Sequence, residues 1–145
     1  MATRREGREI VMQMLYGIDI FKLTPKEAWQ SFFRIYGSTK KIESILGFIE
    51  ELFFGTTANL EIIDKELQAV MKNWELDRIA SVDREVLRIA AFEIFFKTDV
   101  PINVVINEAV DIAKDFSTEE SGKFVNGIID KLKSKRGAYE RADAV

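Results

Sequence analysis

The chain has 145 residues, 47% of them hydrophobic and eleven of them Phe, enough for one domain or two small packed halves with a full core. Lys and Arg number 21 against 24 Asp and Glu, a net charge of −3, so indiscriminate coating of nucleic acid is excluded and any such contact must come from a local basic patch. With no Cys and no His, disulfides, thiolate nucleophiles, imidazole bases and ordinary zinc sites drop out, and most enzyme classes go with them.

Thr3-Arg4-Arg5-Glu6 is a capping box, and Ile10, Val11, Met14, Leu15, Ile18 and Phe21 give the helix that follows, over about residues 4–21, an apolar face. The opposite face carries Arg5, Arg8, Met12 and Tyr16, with Arg4 near the helix start. Flat guanidinium and phenol groups suit base stacking and phosphate contact, although arginines on a solvated face are the commoner meaning of such a strip. Thr24-Pro25-Lys26-Glu27 is a second capping box and opens a second helix with Pro at its first position, and Gly37 fits its end. A third helix carries Ile42, Ile45, Leu46, Ile49, Leu52 and Phe53 and is expected to stop at Gly55. A fourth, from near Thr57, aligns Leu60, Ile63, Leu67 and Val70.

The helical period lapses from Asn73 to Ser81, which is expected to hold a turn or a single helical turn and to divide the chain into halves at about 1–72 and 73–135. From Val82 to Lys97 apolar residues cover more than half of the wheel, so this helix is expected to be central and mostly buried, with Glu93 paired to a buried Arg, Lys or Tyr. Arg84, Arg88, Ala91 and Phe95 recur on the side left over. They suit a narrow protein-binding strip, or ordinary surface cations beside one rim aromatic. Thr98 to Pro101 ends the helix, a sixth follows with Val104, Val105, Ala109, Ile112 and Ala113, and the capping box Ser117-Thr118-Glu119-Glu120 opens a seventh.

In the seventh helix Val125, Ile128, Ile129 and Leu132 form the apolar stripe, and Phe124 lies about a quarter-turn off its centre beside Lys123. An aromatic at the rim of the core with a cation next to it matches what a stacked base and its phosphate require. Gly127, inside this helix at a cost of roughly 1 kcal/mol against Ala, suggests close approach of another backbone. The tail, 136–145, is expected to fray. No phosphate-binding glycine loop, nucleophile elbow or metal-ligand spacing is present, so no catalytic, cofactor or metal residue is expected, and the lack of a long apolar run points to a cytoplasmic chain without membrane contact.

Four blocks together resemble the NusB family of bacterial transcription antitermination proteins. They are Arg4 to Glu9 running on to Gln13-Met14-Leu15-Tyr16; Leu76 to Arg84 with Leu87-Arg88-Ile89-Ala90; Asp99-Val100-Pro101 with Val105 to Val110; and Lys123 to Asp130. They occur in the family's order across nearly the whole chain, while Phe21 to Trp74 match mainly as apolar helices. The departures are small, with Gly7 where the family often has Ala and Ser117 where Gly is frequent.

The resemblance implies an all-α fold of about seven helices in two small packed bundles, forming a single domain over 1–145 without catalytic activity. It also implies binding of single-stranded boxA RNA of ribosomal RNA transcripts together with NusE, a small-subunit ribosomal protein, in an antitermination complex with RNA polymerase. Carried over residue by residue, it places RNA at Arg4, Arg5, Arg8, Tyr16, Lys123 and Phe124, and NusE at Asp77, Asp83, Arg84 and Arg88. Two other readings stand beside it: a protein-binding helical scaffold without direct RNA contact, and a cut-down relative of the NusB-like module attached to some ribosomal RNA cytosine methyltransferases. The choice between monomer and homodimer stays open at this level.

Overall fold

The structure, a computed structural model, describes residues 3–37 and 39–139. The described residues form eight α-helices and two short 3-10 helices, with no strand among them. The helices fall into two compact units, one ending at Ala58 and one beginning at Asn59.

The first unit holds α1 (Arg4–Phe21), α2 (Pro25–Tyr36), α3 (Lys40–Glu43) and α4 (Leu46–Ala58). Both capping boxes form: Glu6 N donates to Thr3 Oγ1 at 3.1 Å, and Glu27 N to Thr24 Oγ1 at 3.1 Å, each Glu reaching back to the backbone of its cap. The single helix expected from Ile42 to Gly55 is two. Ser44 Oγ donates to Lys41 O at 2.8 Å, and α3 ends at Glu43 while α4 starts anew at Leu46. A serine bonded to nearby backbone competes with the helical ladder in this way. Gly55 does not stop α4, which runs on through Thr56, whose hydroxyl donates to Leu52 O at 2.7 Å and is thereby satisfied in the interior. Val11, Leu15, Phe32, Ile49, Leu52 and Phe53 make the core of this unit, with Trp29 stacked on Phe53 at 6.0 Å between centroids.

The second unit holds α5 (Leu60–Val70), a 3-10 turn (Leu76–Arg78), α6 (Ser81–Phe96), α7 (Ile102–Phe116), α8 (Glu119–Leu132) and a 3-10 turn (Lys133–Lys135). Here α6 is central, packed by α5, α7 and α8. The boundary between halves therefore lies before α5 and not near residue 73. Ile63 and Leu67 are fully buried, Asp64 is tied to Arg88 of α6, and Glu66 pairs with Lys135.

The tail also departs from expectation as far as Tyr139. Arg136 donates to Glu93 O at 2.9 Å and to Val100 O, and Gly137 N donates to Ile94 O at 2.8 Å. The bonds to Glu93 and Ile94 reach carbonyls in the last turn of α6 and the one to Val100 reaches the loop beyond it, while Tyr139 sets its ring on Phe95 and Phe96 at 5.4 and 5.8 Å. Expected fraying of 140–145 lies outside the described residues. At the start of α8 the cap is Thr118 and not Ser117, its hydroxyl accepting from Ser121 N at 3.0 Å. No described helix is long and apolar enough to cross a membrane.

Candidate nucleic-acid interface

In the first unit the head of α1 is built around Phe48 of α4. The Arg4 guanidinium lies 4.9 Å and the Arg8 guanidinium 5.2 Å from the centroid of its ring, as residues one helical turn apart should when both lean on one aromatic. The two differ in exposure. Arg4 is exposed and has no carboxylate partner among the described residues, whereas Arg8 is only 2% exposed. The expectation that Arg8 and Met12 lie on an open face is thus corrected, for both are buried. Arg5 is half-buried, and Tyr16, two turns on from Arg8, presents 40% of its surface.

Glu6 is the acidic residue of this first turn, and it is neutralised locally. Lys41 Nζ sits 2.8 Å from Glu6 Oε2, and that bond, with the backbone bond from Thr3, holds the Glu6 carboxyl below its usual range. Arg4 is therefore left facing solvent without an opposing charge at the same turn. Gly7 lies under the same ring: a Cβ there would come within 2.9 Å of Phe48, so the glycine lets the aromatic lie close to α1.

In the second unit Lys123 projects from α8 with a 74% exposed side chain, its ammonium 3.6 Å from Glu120. Phe124 is half-buried and meets Trp74 edge to face, centroids 5.5 Å apart. The RNA candidates are thus shared between the units: Arg4, Arg5, Arg8 and Tyr16 in the first, Lys123 and Phe124 in the second. Two contributors escaped the sequence reading. Phe48 is an aromatic off the stripe of its helix, and Trp74 sits in the stretch where the period lapses. Gly127 does not serve close packing; it is exposed and a Cβ there would meet nothing within 4 Å.

The protein-partner candidates divide differently. Asp77 is exposed. Arg84 lies against the preceding turn, 3.5 Å from Glu85 Oε2, with long bonds to Leu76 O and Asp77 O. Arg88 is occupied inside the unit: Nε and Nη2 donate to the two carboxylate oxygens of Asp64 at 2.9 and 2.8 Å, and Nη1 donates to Glu85 at 2.9 Å. Burial alone would disfavour its charge, but the bonds and charges of Asp64 and Glu85 outweigh burial and hold the guanidinium above its usual pKa. Ala91 and Phe95 are fully buried, so of the strip proposed on α6 only Arg84 reaches the surface in part.

Asp83 is 6% exposed, and its Oδ2 accepts from Ser121 Oγ at 3.2 Å while its Oδ1 has no hydrogen-bond partner among the described residues. Burial raises its carboxyl above the ordinary range, only partly countered by Ser121. The folded state then holds this proton more tightly than the unfolded chain, so the contribution of Asp83 to stability is present at low pH and is lost as pH rises through the folded value. Asp83→Asn is accordingly expected to be at least as stable as the wild type at pH 7, with its advantage vanishing toward pH 3. Urea melts of both proteins across that range check it, and an advantage that grows on acidification would contradict it.

The described residues hold no group of three or more acidic side chains able to grip a metal ion. What the surface offers is flat rings beside cations, suited to unpaired bases and phosphates. The NusB family matches residues 5–134 of the chain. The transcription antitermination protein NusB of Heliobacterium modesticaldum is 42% identical over 130 residues, which are 90% of this chain but 62% of that relative. The chain thus spans less than two thirds of that protein's length. The Bacillus licheniformis protein of the same name is 40% identical over 131 residues, 90% of this chain and 96% of the relative. T. maritima NusB superposes with a TM-score of 0.84 at 32% identity, covering 99% of both chains. A chain in the crystal structure of antitermination factors NusB and NusE in complex with dsRNA shares the fold at 24% identity and a TM-score of 0.80, covering 90% of this chain and 96% of that one.

Proposed function

This chain belongs to the NusB family, and from that premise we propose that it binds single-stranded boxA RNA of ribosomal transcripts together with NusE and so promotes read-through by RNA polymerase. The family is one of transcription antitermination factors and not of enzymes. The observation that carries the RNA reading is the head of α1, where Arg4 leans on Phe48 and faces solvent while Glu6 is taken up by Lys41. That a protein of this fold was crystallised with NusE and dsRNA supports the reading.

With a net charge of −3 and few exposed cations in its strip, the chain alone neutralises few phosphates, so its own RNA affinity is weak and falls with salt. A partner that extends the basic surface raises it, and the coupling is reciprocal: RNA tightens NusE binding by the same factor. For NusE the exposed Asp77 and the partly accessible Arg84 are the direct candidates, while Asp83 and Arg88 act by holding α6 in place. A helical scaffold that binds protein only is the second reading. It is favoured by an apolar cavity of about 380 Å³ between α1 and α2, lined by Ile10, Met14, Phe21, Phe32 and Ile35.

Titration of boxA RNA against the protein, NusE and both together separates the readings. RNA binding that tightens when both proteins are present is expected. Phe124→Ala should weaken it about 5- to 100-fold, as loss of one stacked base does, with NusE binding in the absence of RNA unchanged. A sequence-independent response, or none with either mixture, leaves the scaffold.

A further inference from the structure

Trp74 is 56% exposed and lies in the segment between α5 and the first 3-10 turn. A half-exposed indole forgoes a large share of the burial that its ring could gain, and nothing in its position suggests slack. The segment is pinned at both ends by buried side chains, Met71 at 1% and Leu76 at 7% exposure. Between them Gln68 acts as a clamp, its amide donating to Trp74 O at 2.8 Å and to Met71 O at 3.4 Å while its carbonyl oxygen accepts from Leu76 N at 3.0 Å. The indole is therefore held outward by its own backbone.

It is held against Phe124. The two rings meet at 71° with centroids 5.5 Å apart, which makes a corner and not a continuous platform. Lys72, exposed and without an ion-pair partner among the described residues, precedes Trp74 by two positions, and Lys123 precedes Phe124. The residues around Trp74 in the segment are polar: Lys72, Asn73, Glu75 and Asp77. Two rings ringed by charge are too little apolar area for a stable protein contact, which needs roughly 800 Å² on each partner, but they match the size of one base.

We propose that Trp74 and Phe124 form one aromatic corner that receives a single unpaired RNA base, with Trp74 as a stacking residue and Lys72 and Lys123 beside the flanking phosphates. This rests on the RNA reading given above and extends it to a residue and a geometry. Rings set at 71° cannot both prolong one stack of parallel bases, so the base that enters has left its neighbours' stack. Single-stranded RNA is favoured over duplex for that reason.

The experiment uses the full chain with NusE and a boxA-containing single-stranded RNA. Trp74→Ala is expected to weaken RNA binding about 5- to 100-fold, and Trp74→Phe, which keeps a flat ring, to retain most of it. In a Trp29→Phe background Trp74 is the sole indole, and its emission should be quenched by saturating single-stranded RNA and much less by the same sequence in a duplex. If Trp74→Ala binds as the wild type does while Phe124→Ala loses binding, the corner is overturned and the RNA function stands. If the wild type binds no RNA with NusE present, both fall. If Trp74→Ala loses NusE in the absence of RNA, Trp74 belongs to a protein contact and the proposal is overturned.

Discussion

Arg88→Ala is expected to destabilise the protein by about 3–5 kcal/mol, the usual result of removing one partner from a buried ion pair. Arg88 answers two carboxylates at once, Asp64 through a two-pronged pair and Glu85 through its third nitrogen, and Glu85 is 0% exposed. Without the guanidinium Glu85 stays in the interior of α6 with its main counter-charge gone, and α5 loses its tie to α6. Because α6 is the central helix of the second unit, the loss should appear as a lower urea midpoint of the whole transition and not as local fraying. The effect comes from leaving a buried carboxylate without its main counter-charge more than from any net worth of the triad. The double variant Arg88→Met/Glu85→Leu should therefore lose less than Arg88→Ala. A single variant within about 1 kcal/mol of the wild type, or a double variant worse than the single, would contradict this account.

Arg8→Ala is expected to destabilise by about 2 kcal/mol or more, through loss of a desolvated guanidinium over an aromatic ring and of the packing of its buried stem. Arg4→Ala, one turn earlier on the same ring, should stay within about 0.5 kcal/mol because that side chain is exposed. The contrast matters for the function. Both variants are expected to bind RNA less well, but for Arg8 the loss is mixed with unfolding, while for Arg4 it reports phosphate contact and should reduce the salt slope by about one. Thermal melts of the two proteins alone, followed by RNA titrations at several salt concentrations, distinguish them. Equal melting temperatures for Arg4→Ala and Arg8→Ala would refute the buried role of Arg8.

The starts of α1 and α2 were legible because capping is local chemistry: Thr3, Thr24 and their glutamates lie within four residues of one another, and both helices start within a residue of expectation, as does α6 without a side-chain cap. The split between α3 and α4 was missed because Ser44 chooses between continuing a helix and bonding Lys41 O, and the apolar period does not register that choice. Tyr16, Lys123 and the rim position of Phe124 could be read from the wheel, whereas Arg8, Arg88 and Phe95 were set on open faces and proved buried. Trp74 could not be read at all, since a residue in a segment without a period has no face until its neighbours are placed.

By itself the sequence determined the helices apart from the α3–α4 break, the apolar stripe of each, the family and the absence of thiol and imidazole chemistry, since all of these depend on residue types and on spacings of a turn or two. Only the tertiary structure decided which polar residues are surface. A wheel gives the direction of a side chain but not what stands in that direction, and a charge such as Arg88 is drawn inward by a carboxylate 24 positions away in the chain. The same holds for the corner of Trp74 and Phe124, whose rings are fifty residues apart and meet where the segment that Gln68 holds to the end of α5 passes α8.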